Sequence, residues 1–74
     1  EREVAGRELR QIMNAFLENL PKESRLIFLR RYWYMDTIAE IAARYDIGES
    51  KVKVQLSRTR NMLRAYLKKE GIAV

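Results

Sequence analysis

From Glu49 to about Lys69 the chain contains neither glycine nor proline, and its apolar residues Val52, Leu56, Leu63, Tyr66 and Leu67 recur at helical spacing. The pattern predicts ~30 Å of helix at about 1.5 Å per residue. In a chain of only 74 residues, an element of that length and one-sided character has to be covered by most of what remains, since a helix gains its stability chiefly from packing an apolar face.

The remainder reads as three further helices. Leu9, Ile12, Met13, Phe16, Leu17 and Leu20 follow the i, i+3, i+4 spacing of one buried stripe and predict a helix over about 3 to 19. Pro21 ends that pattern, and its missing N–H also suits the first turn of a second helix, about 21 to 32, carrying Leu26, Ile27, Leu29 and Tyr32. Thr37-Ile38-Ala39-Glu40 is a capping-box pattern with Thr37 as N-cap. It opens a short helix of about 38 to 45 lined by Ile38, Ile41 and Ala42, and Asp46 follows as a residue that tolerates left-handed geometry. Ile47-Gly48 then forms the turn into the long helix, and Gly71 reads as its C-terminal stop. Strand patterns, internal repeats and low-complexity segments are absent. The expected fold is therefore all-α: one four-helix domain over 1–74, without a wing.

The opening Glu1-Arg2-Glu3 is neither an initiator Met nor a secretory signal, so the chain is expected to be cut from a longer one. No apolar run approaches the ~18 residues that span a bilayer, and no membrane partner is expected. Chemistry is narrowed by what is missing. With no Cys and no His, disulfides, thiolate zinc, Cys nucleophiles and the commonest general base are excluded. The acidic residues are scattered over caps and surfaces rather than gathered for Mg2+. Asp36 and Glu40, at i and i+4, read as the cap region of the third helix rather than an acid/base pair. No catalytic activity, cofactor, metal or small-molecule substrate is expected.

Charge has a location. Residues 1 to 20 hold three basic and four acidic residues, 21 to 48 five and four, and 49 to 74 seven and two, so the last helix and tail carry the surplus behind the net charge of +5. A capped short helix, a tight turn and a longer basic helix with a polar first turn make a helix-turn-helix. Its apolar skeleton would be Ile38, Ile41, Ala42, Ile47, Val52 and Leu56. With those turned inward, Glu49, Ser50, Lys53, Val54 and Ser57 remain on the outward face. A major groove about 12 Å wide accepts one helix, and its base edges can be read by short polar side chains and Lys. Glu49, Ser50, Lys53 and Val54 are the candidate base readers. Thr37, with the amides beside it, and Arg44, Lys51, Ser57, Arg58 and Arg60 are the candidate phosphate contacts.

On these residues the chain resembles region 4 of the extracytoplasmic-function group of sigma-70 family bacterial RNA polymerase sigma factors. Leu20 to Arg25 (LPKESR) is similar to the family's LP-x-x-x-R opening, and Ile27 to Tyr32 (IFLRRY) to its hydrophobic-LRY segment. Thr37 to Ala42 (TIAEIA) is similar to S-x-x-E-I-A. Ile47 to Leu63 (IGESKVKVQLSRTRNML) resembles the recognition helix, I-S-x-x-x-V-K-x-x-L-x-R-A-R-x-x-L. Asp46 stands where the family commonly has Gly, Gly48 where it has a Ser cap, and Thr59 where it has Ala. The resemblance covers about 20 to 68. It implies a cytoplasmic sigma factor whose region 4 reads the promoter −35 element through the helix from Glu49 and docks on core RNA polymerase at the β flap, supporting transcription initiation. Glu49, Ser50, Lys53 and Val54 match the family's base contacts, and Thr37, Lys51 and Arg58 its phosphate contacts. The region that melts the −10 element is not in this chain.

Phe28, Tyr32, Trp33 and Tyr34 cluster at the end of the second helix. They read first as core and inter-helix packing, with a partner surface for the flap or an anti-sigma factor, anchored by Trp33 or Tyr34, as the functional alternative. Met13, Met35 and Met62 read as gap-fillers. Two rival functions remain: a response-regulator type effector domain that binds a palindromic operator as a dimer, and a protein-interaction module whose basic helix is merely soluble. Salt-dependent DNA binding separates the second rival from the DNA-binding readings.

Overall fold

The computed structural model describes residues 6–72. Among them are four helices and no strand: α1 (Gly6–Glu18), α2 (Lys22–Tyr32), α3 (Ile38–Tyr45) and α4 (Glu49–Lys69). The expected start of α1 at residue 3 lies outside the described residues.

Local chemistry accounts for most of the boundaries. Pro21 is extended, with φ −54° and ψ 147°, and its carbonyl accepts from the Arg25 N–H at 3.0 Å. It is therefore the N-cap of α2 rather than a residue of its first turn, and the helix begins one residue later than expected. The capping box of α3 forms as anticipated: Glu40 N–H donates to Thr37 Oγ1 (3.1 Å) and Thr37 N–H donates to the Glu40 carboxylate (2.7 Å). Asp46 ends α3 in the left-handed region at φ 53°, ψ 51°, while the Ile47 N–H returns to the Ala42 carbonyl at 3.0 Å. Gly71, at φ 82°, closes α4, with the Ile72 N–H bonded to the Leu67 carbonyl.

The core sits where α2, α3 and α4 meet. Ile27, Ile41, Ala42, Val52 and Leu56 form one buried cluster, sealed by half-buried Ile38, Tyr45 and Ile47. Thr59 is buried below it on the α4 stripe. Phe16 and Leu20 anchor the end of α1, and the Phe16 and Tyr66 rings stand 5.5 Å apart. The first half of α1 is less covered than its pattern suggests, for Leu9 is 41% exposed and Met13 half-buried. There α1 stands off from α2 and α4, leaving an open apolar groove of about 600 Å3 between them.

Two further expectations are corrected. Phe28 is core, but Tyr32, Trp33 and Tyr34 are exposed, because α2 ends at Tyr32 and the following turn carries the chain away from the core. Met35 and Met62 are exposed as well and fill no gap. The molecule measures 42 × 19 × 19 Å, about one and a third times as long as α4 alone.

Candidate nucleic-acid interface

The orientation of α4 about its own axis follows from the core. Val52, Leu56 and Thr59 point inward, so at about 100° per residue Ser50, Val54 and Ser57 point outward, and Lys51 and Lys53 lie roughly 80° to either side of that row. All five are exposed, together with Glu49 and Arg58. Val54 is 46% exposed, an apolar side chain on an otherwise polar face. Asn61 is exposed and continues the same row. Sequence reasoning confined to the first half of the helix misses it, although its i+4 spacing from Ser57 marks it as part of the row.

The surface that α4 presents is one cylinder of short side chains flanked by two cations. Such a profile suits a major groove: Ser50, Val54 and the long side chain of Lys53 can meet base edges, while Lys51 on the other flank and Ser57 further along the helix can reach the phosphates of the walls. Glu49 in the first turn and Lys68 and Lys69 in the last complement the helix dipole.

The expected phosphate contacts separate into three settings. Thr37 is exposed at the start of α3, where its oxygen accepts from the Glu40 N–H and its hydroxyl proton can be donated to a phosphate oxygen. Ser57 and Arg58 are exposed on α4 and make no ion pair or hydrogen bond to another side chain among the described residues. Lys51, Arg44 and Arg60 have protein partners. Lys51 Nζ lies 3.7 Å from Glu23 Oε1, Arg44 Nε lies 4.0 Å from Asp36 Oδ2, and Arg60 Nη1 donates to Tyr32 Oη at 2.8 Å. The last bond turns Arg60 towards the end of α2, off the outward row.

The turn between α2 and α3 is braced by Arg30 and Arg31, which the sequence does not single out, acting on Asp36 and Tyr34. Arg30 Nε donates to Asp36 Oδ2 at 2.7 Å, Arg31 Nη1 donates to the Asp36 carbonyl at 2.9 Å, and the Arg30 guanidinium sits 4.2 Å from the Tyr34 ring centre. The Asp36 hydrogen bond raises the Arg30 pKa further, against the opposing effect of desolvation. Arg30 thus stays charged wherever the fold persists, and the turn that delivers Thr37 is pinned. Asp36 serves this brace while Glu40 serves the cap, so the two acids act separately.

No group of three or more His, Cys, Asp or Glu residues with metal-holding geometry occurs among the described residues, and none of their helices is long and apolar enough to cross a membrane. The apolar groove, lined by Leu9, Met13, Leu17, Leu29, Trp33 and Leu63 among others, opens beside the C-terminal half of α4, away from the Ser50 end of the row.

Comparison with known proteins bears on this arrangement. A family model described as "Sigma-70, region 4" matches residues 16–65, from the end of α1 through most of α4. No curated protein and no solved structure matches the chain.

Proposed function

The chain belongs to the sigma-70 region 4 family, and from that premise we propose that it reads the −35 promoter element as one domain of a longer bacterial RNA polymerase sigma factor, of the extracytoplasmic-function group. The observation that carries this reading is the outward row of α4, Ser50, Val54 and Ser57 between Lys51 and Lys53, held in register by buried Val52 and Leu56. Glu49, Ser50, Lys53 and Val54 meet base edges; Val54 would meet a thymine methyl, the one apolar feature of the groove's edge pattern. Thr37, Ser57 and Arg58 meet phosphates, and Lys51 and Arg44 join them once they leave their carboxylate partners. Arg60 joins only if it lets go of Tyr32.

The second face serves the polymerase. An apolar groove open to solvent, with 76%-exposed Trp33 at its edge, is surface that a monomeric domain does not need. We assign it to docking on the β flap of core RNA polymerase, with an anti-sigma factor as a competing occupant. Promoter and polymerase contacts together place the protein in the cytoplasm, and neither requires catalysis by this domain.

Selection of bound DNA from a random pool, using the whole sigma factor with core polymerase, tests the reading. A recovered −35-like motif supports it, whereas an unenriched pool rejects it. Two variants then separate the roles. Lys53→Ala should weaken the selected sequence more than scrambled DNA, by ~1 to 3 kcal/mol. Arg58→Ala should weaken both alike and reduce the salt slope by about one. If both variants bind as the parent does, α4 is not the reading element and the interaction-module reading takes its place.

A further inference from the structure

Glu23 stands in the first turn of α2, yet its carboxylate faces α4. Gln55 Nε2 donates to Glu23 Oε1 at 3.1 Å, and Lys51 Nζ lies 3.7 Å from that same oxygen. Gln55 is itself held from the other side, since Ser24 Oγ donates to its Oε1 at 3.0 Å. A fixed carboxylate is therefore installed at the flank of the outward row, beside the cation on that side. The Lys51 and Glu23 side chains are 54% and 49% exposed, so the pair is open to solvent and to any anion that approaches.

We propose that Glu23 is a positioning residue that competes with the DNA backbone for Lys51, lowering affinity for DNA of every sequence alike. The inference rests on the DNA-binding reading above. A phosphate arriving at Lys51 must displace a carboxylate that Gln55 keeps in place, or share the lysine with it at the expense of repulsion between two anions. Because that cost does not depend on the bases, discrimination is left to the outward row. On the opposite flank Glu49 stands one turn before Lys53 on the same helix, and no ion pair joins those two side chains.

The test measures binding of the whole sigma factor with core polymerase to the selected duplex and to a scrambled one by fluorescence anisotropy, between about 50 and 200 mM salt, over which phosphate contacts weaken steeply. Five proteins are compared: the parent, Glu23→Gln, Glu23→Ala, Lys51→Ala and the double variant of Glu23→Gln with Lys51→Ala. Glutamine keeps an oxygen for Gln55 while removing the charge, and urea unfolding of each sigma variant without polymerase checks the fold. Glu23→Ala serves as a second variant that removes the charge without a competing amide.

Both Glu23 variants should bind both duplexes about two- to fivefold more tightly, the range expected from releasing an exposed ion pair. The salt slope should steepen by up to about 0.9. With Lys51→Ala in place, Glu23→Gln should change nothing. A gain of equal size in the Lys51→Ala background would mean that Glu23 acts only through net charge, and would overturn the proposal. So would a gain confined to the selected duplex, or no gain at all in a parent that binds DNA. If the selection recovers no −35-like motif, the DNA-binding reading falls and this inference with it.

Discussion

Among the described residues, two other than glycine hold left-handed backbone, Met35 at φ 61° and Asp46 at φ 53°. Asp46 is suited to it, because a short polar side chain visits that region at modest cost. Met35 is not, and it persists because its neighbours leave no alternative. The Asp36 N–H is bonded to the Arg30 carbonyl at 2.9 Å, and the Asp36 side chain and carbonyl are held by Arg30 and Arg31. Since Met35 is 75% exposed, replacing it by glycine removes the steric cost without losing packing. Met35→Gly should stabilise the domain by roughly 0.5 to 1 kcal/mol, after allowing for the extra freedom of glycine in the unfolded chain. A urea midpoint below the parent's would show that the turn is not strained there.

Among the elements, α3 depends most on its ends. Its eight residues are too few for a helix to persist alone, so the capping box at Thr37, the left-handed cap at Asp46 and the burial of Ile41 carry it. Thr37→Ala removes one of these and should cost ~1 kcal/mol, within a range of about 0.5 to 2. Thr37→Ser should restore the loss, because only the hydroxyl is needed. Equilibrium unfolding checks the first claim, and serine rescue separates loss of the cap from loss of the methyl group. The same hydroxyl is the proposed phosphate donor, so Thr37→Ala should also weaken DNA binding irrespective of sequence.

A domain of this size has about 4 to 11 kcal/mol of stability in total. Leu56, 2% exposed at the crossing of α2, α3 and α4, therefore carries a large share. Leu56→Ala should cost ~2 to 5 kcal/mol, leaving the domain marginal or unfolded by circular dichroism at 37 °C. Trp33→Ala should behave in the opposite manner. With its ring 76% exposed, its removal should shift stability by less than about 0.5 kcal/mol, while co-elution of the sigma factor with core polymerase should weaken. Retained co-elution would take Trp33 out of the docking surface. The two variants together distinguish what holds the molecule from what the molecule offers.

Helix existence, the capping box, the Asp46 turn and the cluster of Ile41, Val52 and Leu56 are all legible in the sequence: the first three depend on residues within one or two turns of one another or on a repeat near 3.6, and the cluster follows from the short turn that folds α4 back on α3. The row Ser50, Val54 and Ser57 was readable for the same reason: once the inward residues are known, the outward ones follow. Other features depend on how α2 crosses α4 and how far α1 stands off. Glu23 meets Gln55 across 32 residues, and Arg60 meets Tyr32 across 28. The exposure of Trp33, Tyr34, Met35 and Met62, like the open groove beside Leu9, is of this second kind. Periodicity says which side of a helix is apolar, but not whether a neighbour covers it. That depends on side-chain volumes meeting at the crossing, far apart along the chain.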